Sequence, residues 1–192
     1  DEVFAGYHWY PPMTHSNDPV GDYARVFFDR DYQKLGRHLS PDYLTDSDEA
    51  YEFVRRAMAI PGADQAVDKA LRLDSTVMLV DDPVKRVDNM TMRHGLEARV
   101  PFLDHDLVEL AARIPAEHKL SHGGKGVLKE ASRKVIPAEV IDRKKGYFPV
   151  PALKYIDGPY LDMVKTTLTN QKARQRGLFQ TGYLETLFAD PT

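Results

Sequence analysis

Apolar residues in this chain recur at three and four residues along most of its length. The only two stretches of β-like composition, 99–103 and 146–150, both contain proline. Proline donates nothing to a sheet ladder, so neither stretch suits an interior strand. Helical periodicity therefore decides the fold class, and the spacing predicts a mainly α-helical single domain over residues 1–192.

The punctuation agrees with that period. Asp18-Pro19 opens a helix, because the aspartate accepts from free backbone N–H groups and proline fits the first turn. Tyr23, Val26 and Phe27 begin an amphipathic stripe that is expected to run to about Leu35. Asp46 or Ser47 can cap a helix through Tyr51, Val54 and Met58, stopped by Pro61-Gly62. A further helix is expected from Ala66 toward Val80, with Asp81-Asp82-Pro83 ending it and starting another. That next helix should turn Val84, Val87, Met90 and His94 inward. Leu107, Leu110 and Ala111 mark a helix closed near Ile114-Pro115, and Val127, Leu128, Ala131 and Val135 mark one more. An exposed basic loop is expected over 140–151, then helices over 161–168 and 181–188.

Composition excludes whole classes of function. There are no cysteines among the 192 residues, which removes disulfides, thiolate metal sites and a cysteine nucleophile. Net charge is −3 with an isoelectric point near 6.2, so no chain-wide basic field argues for nucleic acid or an anionic membrane. No apolar run approaches the roughly 20 residues of a membrane helix. The start, Asp1-Glu2-Val3-Phe4, has neither the basic nor the apolar region of a signal peptide. A soluble, cytoplasmic chain is the expectation. The absence of an initiator methionine points to a piece of something longer.

Three stretches can carry chemistry. Gly123-Gly124-Lys125-Gly126 precedes a helix, where its N–H groups could hold an anion, or it is a plain loop with a solvated lysine. Between Asp81 and Asp104, charges alternate in sign within apolar flanks, and Glu97 and Arg99 stand just before Val100-Pro101-Phe102-Leu103. Charges in such company mark a buried ion network or a site. Arg143-Lys144-Lys145 beside Gly146 and two aromatics suits either a flap over phosphates or a solvated basic loop. The seven histidines form no His-Glu-x-x-His pair, and no Gly-x-Ser-x-Gly or Gly-x-x-x-x-Gly-Lys-Ser motif is present.

Two of these stretches, "VDNMTMRHGLEARVPFLDHDLVELAARIP" and "GGKGVLKEASRKVIPAEVIDRKKGYFPVP", resemble the synthetase domain of the glutamine-dependent asparagine synthetase family. The opening "DEVFAGY" resembles the end of that family's Gly-Ala-Asp-Glu-Leu-Phe-Gly-Gly-Tyr motif, with Ala5 where glycine is usual. Within the family, "GYHWYPPM" and "LDSTVMLVDDPVKRVDNMT" are similar to the branch called N-acetylglutaminylglutamine amidotransferase.

The resemblance implies the C-terminal helical part of an adenine-nucleotide α-hydrolase-like domain, with the nucleotide-binding sheet upstream. It implies ATP and Mg²⁺ as cofactors, a carboxylate substrate, and ammonia drawn from glutamine. By this likeness Asp1 helps bind Mg²⁺ with the nucleotide phosphates. Lys145 stabilises pyrophosphate, in an element that reads Lys145-Gly146-Tyr147-Phe148 with Tyr147 at a glycine position. Glu97 orients or deprotonates the attacking amine, with Arg99 as its structural partner. The family's Ser-Gly-Gly-x-Asp-Ser loop and its glutamine-hydrolysing cysteine are absent here, so the glutaminase and ATP-loop segments are expected elsewhere in the same polypeptide, and this stretch alone is expected to be inactive. Asparagine synthetase acting on aspartate and a non-catalytic helical binding module stay open as alternatives. So does the oligomeric state, a homodimer among the options.

Overall fold

A computed structural model describes residues 1–144, 146 and 156–190. Among these residues there is no strand, only one isolated antiparallel bridge, between Leu39 and Phe179. The helical period read from the sequence thus carries through. No helix among the described residues is long and apolar enough to cross a membrane.

Two compact units form, and the first comprises Asp1–Phe28 and Ala50–Arg143. Its helices begin with α1 (Tyr10–Met13) and α2 (Pro19–Phe27), where Asp18 accepts from Gly21 N at 3.0 Å and Pro19 takes the first position. The stripe expected to reach Leu35 stops at Phe27, because Phe28 turns extended. A separate helix, α3 (Tyr32–His38), starts under the Asp31 cap, whose carboxylate accepts from Lys34 N at 2.7 Å.

Next come α4 (Glu49–Ala59) and α5 (Ala66–Leu73), joined at their ends by one side chain. Arg72 donates to the carbonyls of Ala57, Ile60 and Pro61 at 3.2, 2.7 and 2.9 Å, capping the end of α4. Val54, Met58, Val67, Ala70 and Leu71 then pack with Tyr10, Met13 and Tyr23 into the main core. Each such side chain contributes about 1.5–3 kcal/mol by leaving water.

Asp81-Asp82-Pro83 does not end the helix that begins at Ala66. The chain widens into π turns over Asp74–Met78 and Val80–Val84 and continues as α6 (Lys85–Met92). A wider turn gives the Pro83 ring room beside the preceding carbonyls, so the run survives a residue that breaks an α-helix. The same widening shifts the helical phase. Val87 and Met90, expected inside, are 45% and 64% exposed, and His94 is exposed as well.

After a 3₁₀ turn at Pro101–Leu103, which replaces one of the two β-like stretches, α7 (His105–Arg113) starts under the Asp104 cap. α8 (Ala116–Leu120), α9 (Gly126–Ser132) and α10 (Ala138–Ile141) follow. Leu110 and Val135, read as core positions, are exposed. Val3, Phe4 and Ala111 make a second core with Leu107, Val108 and Leu128 around them. Lys119, 2% exposed, ties α8 to α5 and α7 by donating to Asp68 and to the Ala111 carbonyl, both at 3.3 Å.

The second unit comprises Asp29–Glu49 and Lys144–Thr192. It holds α3, α11 (Gly158–Thr169), α12 (Gln171–Arg176) and α13 (Thr181–Ala189). Gln180 joins its two distant pieces, donating from its side chain to the Gly36 and Leu39 carbonyls at 2.8 and 3.0 Å. Tyr183 stacks on His38 with ring centroids 4.0 Å apart.

Candidate active site

The turn at residues 1–6 is built by backbone geometry. Gly6 N donates to the Asp1 carbonyl at 2.7 Å, and Ala5 takes a left-handed φ of +56°. A Cβ on Gly6 would stand 2.1 Å from Asp1 Oδ1 and 2.3 Å from Lys125 Cε, so only glycine fits there. On the facing loop, Gly124 has φ +95° and a Cβ there would meet the Ala5 carbonyl at 2.4 Å. Lys125 N donates to the Phe4 carbonyl at 3.0 Å. Two glycines thus let two loops touch backbone to backbone.

That contact sets the chemistry. Lys125 Nζ lies 2.5 Å from Asp1 Oδ1, with the side chains 35% and 20% exposed. The lysine of the glycine-rich loop is therefore paired, not simply solvated. Around the pair, a cavity of about 150 Å³ is lined by Glu2, Val3, Phe4, Phe102, Leu103 and Leu128. Phe102 and Leu103 belong to the Val-Pro-Phe-Leu stretch, so two of the stretches singled out in the sequence meet here.

The other predicted site residues are placed differently. Glu97 lies on an exposed loop, where its carboxylate accepts from Arg99 Nη1. Their side chains are 69% and 81% exposed, so the pair is not the buried ion network that alternating charge suggested. Lys145 lies outside the described residues. Of its basic neighbourhood, Asp142 takes a two-pronged contact from Arg133 at 2.9 Å per bond, which holds the Asp142 carboxyl below its ordinary range.

A cluster that the sequence did not reveal lies behind the turn. Asp74, 0% exposed, accepts from Tyr10 OH at 2.5 Å, from Trp9 Nε1 at 3.2 Å and from Tyr23 OH. Burial raises the Asp74 carboxyl, and the three donors only partly offset this. Burial and the adjacent carboxylate also push both tyrosine hydroxyls well above their ordinary value.

Among the described residues, no three His, Asp or Glu side chains converge as a metal cage. Mg²⁺ held with a nucleotide needs fewer, since one or two carboxylates and phosphate oxygens complete its shell. Asp1 fits that requirement as a single protein ligand. Lys125 beside it supplies an ammonium for phosphate charge.

Fold and site together define a helical synthetase-like segment with a carboxylate–ammonium pair at a glycine-cut junction. The family model for asparagine synthase matches residues 1–192, and the chain belongs to that family. It is 28% identical over 147 residues to asparagine synthetase [glutamine-hydrolyzing] 1 of Bacillus subtilis, covering 76% of this chain and 22% of the relative. Asparagine synthetase 3 of the same organism is 29% identical over 162 residues, covering 78% and 25%. The human asparagine synthetase is 36% identical over 92 residues, covering 46% and 16%. The chain thus spans a quarter or less of the length of these relatives. No solved structure gives a significant match.

Proposed function

We propose that this chain is the C-terminal segment of an adenine-nucleotide α-hydrolase-like synthetase domain, serving ATP-dependent, glutamine-dependent amide synthesis. The observation that carries the reading is the Asp1–Lys125 pair, placed against Phe102 and Leu103 in a chain matched throughout by the family model. In this reading a substrate carboxylate oxygen attacks the α-phosphorus of ATP and pyrophosphate leaves. Ammonia then attacks the acyl carbon, AMP leaves, and the amine gives up a proton. A carboxylate is a poor electrophile, so adenylation supplies the leaving group, and water must be kept from the intermediate.

The residues divide that work. Asp1 holds a Mg²⁺ position at the nucleotide phosphates, and Lys125 sets its charge beside it. Lys145 acts on the pyrophosphate as its charge develops. Glu97 takes or orients the amine proton, with Arg99 fixing its carboxylate. The glutaminase cysteine and the phosphate-cradling loop come from other parts of the same polypeptide, in keeping with the short coverage of the relatives.

For the substrate, the likeness of "GYHWYPPM" and "LDSTVMLVDDPVKRVDNMT" to one family branch favours the N-acetylglutaminylglutamine dipeptide. Aspartate is the second reading, favoured by the names of the relatives. Pyrophosphate release by the full-length enzyme, measured with each carboxylate in turn, separates them. Release that depends on the dipeptide supports the first, release with aspartate the second, and release with neither refutes both.

A further inference from the structure

The turn that carries Asp1 holds a second carboxylate, Glu2, which the proposed reaction does not use. Both line the same cavity as Lys125, yet they point apart. Asp1 Oδ1 meets the Lys125 ammonium at 2.5 Å, whereas Glu2 Oε1 accepts from Tyr7 OH at 2.6 Å. Glu2 is only 7% exposed, so its charge needs a partner at that depth.

The Tyr7 ring is itself clamped. It stacks on Trp9 with centroids 4.1 Å apart and planes 13° from parallel. Trp9 Nε1 in turn donates to the buried Asp74 carboxylate, which Tyr10 and Tyr23 also hold. The turn is gripped from two cores as well, Ala5 belonging to one and Val3 with Phe4 to the other. The hydroxyl of Tyr7 therefore sits at a fixed point, and that point faces the carboxylate next to Asp1.

We propose that Tyr7 is a positioning residue that holds Glu2 away from the Asp1–Lys125 pair, so that a single carboxylate and a single ammonium face the nucleotide phosphates. Without the hydroxyl, Glu2 would turn toward the nearest cation, Lys125, and its negative charge would oppose an incoming phosphate. This rests on the reading of the Asp1–Lys125 pair as the phosphate site.

The test uses the full-length enzyme and two readouts, calorimetric binding of inorganic pyrophosphate with Mg²⁺ and the KM for ATP. Tyr7→Phe should weaken both by about tenfold, as expected for losing a hydrogen bond to a charged group, while kcat and the thermal midpoint stay near wild type. Glu2→Gln placed in the same chain should restore both to within about threefold, because no carboxylate is left to stray. A purely structural hydroxyl gives the opposite result, the double variant binding worse than either single one, and that would overturn the proposal. If Tyr7→Phe does not fold, Trp9→Phe loosens the same clamp and serves the same comparison. Lys125→Ala separates the two levels of the argument. If it leaves pyrophosphate binding unchanged, the phosphate-site reading falls and this proposal with it. If it weakens binding while Tyr7→Phe does not, only the role of Tyr7 is lost.

Discussion

Asp74 and Glu97 are carboxylates set in apolar sequence, and the chain treats them in opposite ways. Asp74 is sealed from water behind two tyrosines and a tryptophan, with no cation against it. Glu97 stands in solvent and is paired to an arginine two residues on. The difference teaches where a charge supports the fold and where it is available to chemistry. A buried carboxylate that satisfies three donors is expensive to remove, because the donors stay behind unpaired. An exposed pair contributes little to stability and leaves its carboxylate within reach of a substrate.

The largest effect that could break this contrast is on stability. Asp74→Ala strands three donors, at about 1–3 kcal/mol for each one left buried and unpaired. The full-length enzyme should then lose on the order of 3 kcal/mol or more, seen as a fall of roughly 6–12 °C in thermal midpoint. A drop of a degree or two would mean that Asp74 is not the linchpin described.

Next in size is a rate. Lys145→Ala should cut amide formation by on the order of 10² with little change in thermal midpoint, and Lys144→Ala should be mild by comparison. Equal, small effects from the two would return that stretch to an ordinary basic loop.

Glu97→Ala should lower stability by less than about 1 kcal/mol, a shift of under roughly 4 °C. A fall as deep as that of Asp74→Ala would erase the contrast between the two carboxylates.

The finest probe is pH. The folded Asp74 carboxyl is raised, so the native chain binds its proton more tightly than the unfolded chain does. Stability from this group is present below the ordinary aspartate value and is lost as pH rises through the raised one. The thermal midpoint of wild type minus that of Asp74→Asn should therefore shrink between pH 4 and pH 7. Asp142, lowered by Arg133, should show the reverse trend on replacement by asparagine, its contribution fading as pH falls below the ordinary range.

Helix starts were legible because they depend on neighbours in sequence. Asp18-Pro19 and Asp104 cap as their residue types require. Asp1 could be singled out from its motif, but its partner could not, since Lys125 reaches it only through the close approach that Gly6 and Gly124 permit. The Gly123-Gly124 pair was the available hint, and it drew attention to backbone N–H groups instead of the lysine side chain. The Asp74 cluster gathers Trp9, Tyr10 and Tyr23 from 51 to 65 residues away, and no periodicity encodes that. Val87 and Met90 were assigned to the wrong side because the count assumed an unbroken α period.

The widened turns at Asp74–Met78 and Val80–Val84 also bear on how this chain tolerates insertions and deletions. A π turn accommodates an extra residue within an otherwise α-helical run, and each residue of an α-helix advances it by about 100°. Deleting one residue from 74–84 should let the run relax toward regular α geometry and swing everything after it, including the loop that carries Glu97, by about that angle. Sequence comparisons with relatives should therefore tolerate single-residue gaps here poorly, even though the solvent-facing residues themselves are free to vary.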